Sequence, residues 1–76
     1  MISKDTFISI VLPVYNEEEN IQPLTERLIR VLSSLENPVE ILFIDDGSTD
    51  ASVRRMEEMR ESHPNHVFRI IQLDRN

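Results

Sequence analysis

The chain has 76 residues, 14 of them acidic and 8 basic, for a formal net charge of −6. That length allows one domain at most. The acidic balance excludes the basic footprint that a nucleic-acid groove or a polybasic membrane patch requires, and the absence of cysteine excludes a disulfide framework and a thiolate metal site.

With 39% hydrophobic and 29% charged residues, the chain reads as a folded, soluble domain and not a disordered one. The acids are spread along the sequence, which marks a solvated surface more than an acidic tail. Lack of cysteine fits a reducing, cytoplasmic setting. At the amino end, Lys4 is followed at once by Asp5, and the apolar run at 7–12 is broken by Ser9 and stopped by Pro13. A secretory leader needs about 7–15 apolar residues and a cleavage site, so none is expected. No stretch approaches the roughly 20 apolar residues of a spanning helix.

Residues 7–12, Phe-Ile-Ser-Ile-Val-Leu, form the first predicted strand. A helix follows, with Ile21, Leu24, Leu28, Val31, Leu32 and Leu35 at i, i+3, i+4, i+7 spacing. Pro23 is tolerated only in a first turn, which places the start near Asn20, a good N-cap type. Asn37-Pro38 closes the helix. The second strand is 39–44, Val-Glu-Ile-Leu-Phe-Ile, and the second helix spans 51–62, with Val53, Met56 and Met59 along one side. The methionines are expected in the core. His63 and His66 flank a Pro-Asn turn and are expected to be exposed. The third strand is 67–73.

The order is βαβαβ. It predicts an α/β fold with a parallel sheet and right-handed crossovers. The strands are short, β-branched and nearly continuously apolar, as strands covered on both faces are. If they lie side by side in chain order, however, both helices cover the same face. The other face then needs a partner chain or more of this polypeptide. The chain is therefore expected to be a truncated domain, with self-association through the uncovered face as the alternative.

Open parallel sheets bind ligands beyond the carboxyl ends of their strands. Two polar segments fall there: 13–20, Pro-Val-Tyr-Asn-Glu-Glu-Glu-Asn, and 45–50, Asp-Asp-Gly-Ser-Thr-Asp. Gly47, the one glycine, suits a sharp turn or a close ligand approach. Asp45 and Asp46 point to opposite sides if extended, so one faces the cleft while the other holds the turn. An ionised carboxylate only accepts hydrogen bonds, which fits an imide N–H or ribose hydroxyls. The competing reading makes them turn acids, with Asp50 favouring the helix N-terminus. Tyr15 can stack on a base or sit at a core edge with its hydroxyl wet. Glu17 can accept from ribose or base, Glu18 and Glu19 read as surface acids, and Asn16 and Ser48 read as turn and cap residues. Two histidines make no metal site. The dinucleotide glycine motif, the P-loop and the nucleophile elbow are all absent.

Two stretches in order, Ile10-Val-Leu-Pro-Val-Tyr-Asn-Glu17 and Ile44-Asp-Asp-Gly-Ser-Thr-Asp50, one amphipathic helix apart, resemble the opening of family 2 glycosyltransferases. The Asn16-Glu-Glu-Glu-Asn20 run is similar to the polyprenyl-phosphate (dolichol- or undecaprenyl-phosphate) branch, whose products serve lipid-linked sugar and cell-envelope synthesis. The resemblance implies the N-terminal βαβαβ part of a GT-A, Rossmann-like fold. It implies inverting sugar transfer from a UDP- or GDP-type donor to a polyprenyl phosphate or saccharide acceptor. Carried over, Pro13, Tyr15, Glu17 and Asp46 line the nucleotide pocket, with Asp45 and Ser48 as weaker, turn-forming candidates. The parent enzyme would work at the cytoplasmic face of a membrane and use Mg2+ or Mn2+ held by a later D-x-D motif. Asp74-Arg75-Asn76 is not that motif, and the catalytic base and acceptor site are likewise expected outside these residues. The fragment itself is expected to be the nucleotide-binding half of its domain, inactive alone.

Three other readings compete with this one. A phospho-receiver module needs its acid pair after the first strand, and here the pair follows the second. A dehalogenase-type phosphatase needs Asp-x-Asp-Gly, whose spacing Asp45-Asp46-Gly47 lacks. A non-catalytic α/β interaction module would reveal itself by self-association.

Overall fold

The computed structural model describes Ser3 and residues 5–74; Lys4, Arg75 and Asn76, used in the sequence reading, lie outside the described residues. The elements are β1 (Ile8–Val14), α1 (Ile21–Leu32), β2 (Val39–Asp45), α2 (Ser52–Ser62) and β3 (Val67–Gln72). The three strands form one parallel sheet in the order β1-β2-β3. Ile10 pairs with Ile41 and Ile41 with Phe68; Val14 pairs with Asp45 and Asp45 with Gln72. β1 runs through Pro13, beyond the predicted 7–12, because it pairs on one side only, and an edge strand tolerates a residue without an N–H.

Alternation along the strands separates two faces. Val14, Ile41, Phe43 and Phe68 turn to one side and join Ile21 of α1 and Met56 and Met59 of α2 in the core. Phe43 and Phe68 stack with centroids 6.2 Å apart. Both helices therefore cover one face, as the strand order implies. The opposite face carries Val11, Val67 and Ile71, all exposed, and half-buried Leu42 and Ile44. One polar track crosses it. The Ser9 hydroxyl donates to Glu40 Oε1 at 2.8 Å, and Arg69 Nη1 lies 3.6 Å from Glu40 Oε2.

α1 differs from its sequence pattern in two ways. It stops at Leu32, because the hydroxyls of Ser33 and Ser34 donate to the carbonyls of Ile29 and Val31, each at 2.7 Å. These bonds take up acceptors of the last turn, and Leu35 is left outside the helix and exposed. The inward stripe is Ile21, Thr25, Ile29 and Leu32, while Leu24 and Val31 face outward. A polar Thr25 on the buried line displaced the apparent stripe. Asn20 does sit at the N-cap, but its side chain caps nothing. It donates instead to Glu17 Oε2 at 2.6 Å. His63 and His66 are half-buried, not exposed: His63 Nδ1 lies 2.9 Å from the Met59 carbonyl, which can only accept, so that nitrogen carries the proton.

Thr25 is fully buried, and its hydroxyl has no hydrogen-bond partner among the described residues. A buried hydroxyl left unsatisfied costs about 1–3 kcal/mol. Thr25→Val keeps the shape and the helix propensity while removing that cost. It is expected to raise unfolding stability by about 1 kcal/mol, or roughly 4–8 °C in a domain of this size. A drop in melting temperature would contradict an orphaned hydroxyl.

Candidate functional site

Parallel pairing of β1 with β2 places their following loops side by side. The ladder continues one step past β2, with the Asp46 N–H donating to the Val14 carbonyl at 2.8 Å. Asp45 ends β2 on the helix-covered side. Its carboxylate is buried at 3% exposure and accepts the Ser48 N–H at 3.3 and 3.4 Å. Asp46, just past the end of β2, is half-buried. Asp45 thus holds the turn, with Asp46 beside it. Gly47 has φ 82°, a left-handed value that only glycine adopts without steric cost.

The β1–α1 loop is tied to the β2–α2 loop by side chains. Asn16 has φ 49°, the one positive value among described non-glycine residues. Its N–H donates to Ser48 Oγ at 2.9 Å, and its Oδ1 accepts the Thr49 N–H at 2.8 Å. The next two amides follow suit: Glu17 N–H to Ser52 Oγ at 2.8 Å, and Glu18 N–H to Asp50 Oδ2 at 3.3 Å. Ser52 is fully buried. Its hydroxyl donates to Asp50 Oδ1 at 2.6 Å, and its N–H donates to the same oxygen at 2.9 Å.

Burial pushes the Asp50 carboxyl pKa up. Hydrogen bonds from the Ser52 hydroxyl, the Ser52 N–H and the Glu18 N–H outweigh it, and the net shift is downward from the ordinary 3.8.

Pro13 lies exposed on the uncovered side of β1. It shares with Glu17 a concavity of about 230 Å³, walled by Leu12, Val14, Ile21 and Leu24. Tyr15 is 55% exposed. Pro13 and Glu17 are therefore brought together; Tyr15 and Asp46 occupy neighbouring loops outside that concavity. A second, polar hollow of about 310 Å³ is formed by residues 16–20 and Asp50. Sequence reasoning missed the structural weight of Asn16, Asp50 and Ser52. Asn16 and Asp50 lie in the two polar loops and Ser52 opens α2 just beyond, but only the sheet register reveals which oxygen meets which amide.

No group of three or more His, Asp or Glu side chains gathers to hold a metal among the described residues. The Asp45 carboxylate is buried against Ser48, and that of Asp50 is taken up by Ser52 and Glu18. This donor set does not fit a divalent ion. No described helix is long and apolar enough to cross a membrane.

A parallel sheet with polar loops meeting at adjacent strand ends defines the class of α/β proteins that bind ligands there. Comparison with known proteins makes the class specific. Glycosyl transferase family 2 matches residues 9–76, and the chain belongs to that family. It is 46% identical over 69 residues to an undecaprenyl-phosphate 4-deoxy-4-formamido-L-arabinose transferase of Proteus mirabilis, covering 91% of this chain and 21% of that protein. It is 39% identical, over the same shares, to an uncharacterized glycosyltransferase of Synechocystis. Among solved structures it is similar to a mannosyltransferase of Pyrobaculum calidifontis in complex with GDP-Man and Mn2+, with TM-score 0.67 and 22% identity, covering 91% of this chain and 20% of that one. The fold is part of the GT-A type. The chain spans about a fifth of the length of the curated relatives it matches.

The lowered Asp50 pKa fixes the sign of a pH effect. A depressed carboxyl contributes stability that is fully present above its unfolded value and lost as pH falls through the lower folded value. The amide shift of Ser52, whose N–H donates to Asp50, is expected to titrate with a midpoint below pH 3.8, the ordinary aspartate value. Movement centred above that pH would contradict the hydrogen-bonded carboxylate.

Proposed function

We propose that this chain is the nucleotide-binding half of a family 2 glycosyltransferase. In the full-length protein, it would serve inverting transfer of a sugar from a UDP- or GDP-type donor to a polyprenyl phosphate. The observation that carries the reading is the pairing of two family-2 segments, 13–20 and 45–50, as adjacent loops at the carboxyl ends of β1 and β2. The undecaprenyl-phosphate transferases among its relatives support the lipid-phosphate acceptor, and a membrane-apposed, cytoplasmic-face setting for the whole protein goes with it. The GDP-Man and Mn2+ of the solved neighbour support a nucleotide-sugar donor and a divalent ion; that ion would be held by residues outside those described.

The division of labour follows from the side chains. Asp46 is the acceptor for a base imide or amide N–H, since an ionised carboxylate cannot donate and repels phosphate. Tyr15 offers a ring face for stacking. Pro13 and Glu17 border the concavity between β1 and α1, with Glu17 accepting from ribose hydroxyls. Asp45 and Ser48 shape the turn that aims Asp46. The transfer step itself, in which the acceptor oxygen bonds to the anomeric carbon as the nucleoside diphosphate leaves, needs a base and a phosphate clamp supplied elsewhere in the enzyme. The 76-residue chain is accordingly expected to transfer no sugar.

Titration of the chain with UDP and with GDP, followed by amide NMR, tests the reading. Shifts are expected at Tyr15–Glu17 and Asp46–Ser48 with one of the two. Asp46→Ala is expected to weaken that binding tenfold to a hundredfold, the loss of one charged hydrogen bond of about 1.5–3 kcal/mol. Saturable shifts elsewhere, or an unaffected Asp46→Ala, would contradict the assignment.

A further inference from the structure

Neither Asp50 nor Ser52 is among the side chains assigned to the nucleotide; Asp50 borders the polar hollow of residues 16–20. Ser52 has no exposed area, and both Asp50 oxygens are already engaged inside the protein. A plain helix-start role would need only the contact from Asp50 Oδ1 to the Ser52 N–H. The other three bonds do something different. Ser52 Oγ donates its proton to Asp50, which turns its lone pairs toward the other loop, where it accepts the Glu17 N–H. Asp50 Oδ2 accepts the Glu18 N–H. The two side chains act as one relay, from the start of α2 into the backbone that carries Tyr15 and Glu17.

That backbone needs holding. Asn16 is in a left-handed conformation that costs an ordinary L-residue about 1–2 kcal/mol, though asparagine less. Tyr15, just before it, and Glu17, just after it, are exposed side chains, the Glu17 carboxylate accepting from Asn20. Without the relay, the amides of Glu17 and Glu18 would be free to turn to water, and the Asn16 turn would be held by Ser48 and Thr49 alone.

We infer that Asp50 and Ser52 are positioning residues: a buried hydroxyl–carboxylate relay that sets the conformation of residues 15–18, and so determines nucleotide affinity without touching the nucleotide. The role in affinity rests on the nucleotide-binding reading; the role in loop conformation does not.

Two variants separate the arms of the relay. Ser52→Ala deletes the acceptor for the Glu17 N–H. Asp50→Asn keeps an oxygen for Ser52 but turns an NH2 toward the Glu18 N–H, which breaks that bond by donor–donor conflict. Amide spectra of the unliganded variants are read first. With the strand amides unmoved, Ser52→Ala is expected to shift Glu17 most, and Asp50→Asn to shift Glu18 most. The affinity of the folded variants for UDP or GDP is read second. Each is expected to bind about tenfold more weakly than the parent chain. The double variant is expected to bind more weakly than either single one, because each side chain holds a different amide.

Should Asp50→Asn and Ser52→Ala leave the 15–18 amides in place, the relay does not set the loop and the inference is overturned. Moved amides with unchanged affinity overturn the positioning role while leaving the nucleotide reading intact. A parent chain that binds neither nucleotide overturns the nucleotide reading and the affinity role together; the amide arm still decides the loop role. If Ser52→Ala loses its dispersed spectrum through the cavity it leaves, Asp50→Asn, which removes no volume, carries the decision.

Discussion

Three consecutive backbone N–H groups, those of Asn16, Glu17 and Glu18, end on side-chain oxygens of the next βα loop: Ser48, Ser52 and Asp50. Most of what is distinctive about this small domain depends on that lacing. Parallel strands bring successive βα loops close but do not fix them, since their backbone bonds stop at the strand ends. Here the ladder goes one step further, from Asp46 to Val14, and side chains then take over. Each amide satisfied in this way is one that a loop would otherwise leave to water, and each bond adds a modest increment, about 0.5–1.5 kcal/mol when neutral and more when the acceptor is charged. The sum is enough to turn two loops into one surface. Tyr15 and Glu17 stay exposed on that surface, a prepared frame of the kind that selective binding without large reorganisation requires.

The sheet beneath is built on one side only. Phe43, Ile41, Phe68 and the two methionines close a small core with α1 and α2. On the other side, apolar Val11, Val67 and Ile71 stay exposed around the Ser9–Glu40–Arg69 track. Glu40 is nearly buried, and its carboxylate is kept satisfied by a hydroxyl on one neighbouring strand and a guanidinium on the other. The pairing lowers the cost of burying the charge but adds little net stability, as Arg69 is mostly exposed. The loops are thus held by polar bonds above a hydrophobic core of modest size, and loop order and core stability can change independently.

Much of this was legible in the sequence. The β-branched runs and the i, i+3, i+4 spacing gave five elements in the right order, and strand order alone implied a single covered face. The strands read as two-sided because Leu42, Ile44 and Ile71 are apolar whichever way they point; periodicity cannot tell a covered face from one awaiting cover. α1 misled in register and length. Thr25 occupies a core position with a hydroxyl, and Ser33 and Ser34 end the helix with local side-chain bonds that no apolar pattern records. At the site, alternation separated Asp45 from Asp46 without saying which holds the turn; the folded chain buries Asp45 against the Ser48 N–H. Asp50 reads as a helix-start residue and Ser52 gives no reading at all, because their partners Glu18 and Glu17 are more than thirty positions away and become neighbours only through the β1–β2 register.

Hydrogen exchange at the Glu17 amide tests the central claim most directly, since that N–H has a single side-chain acceptor, the buried hydroxyl of Ser52. If the lacing makes the two loops one unit, Glu17 exchanges as slowly as the Asp46 amide, which bonds to the Val14 carbonyl. Exchange at the rate of an unprotected loop amide, while Asp46 stays protected, would mean that the loops move separately and that the frame on which the binding surface rests does not exist.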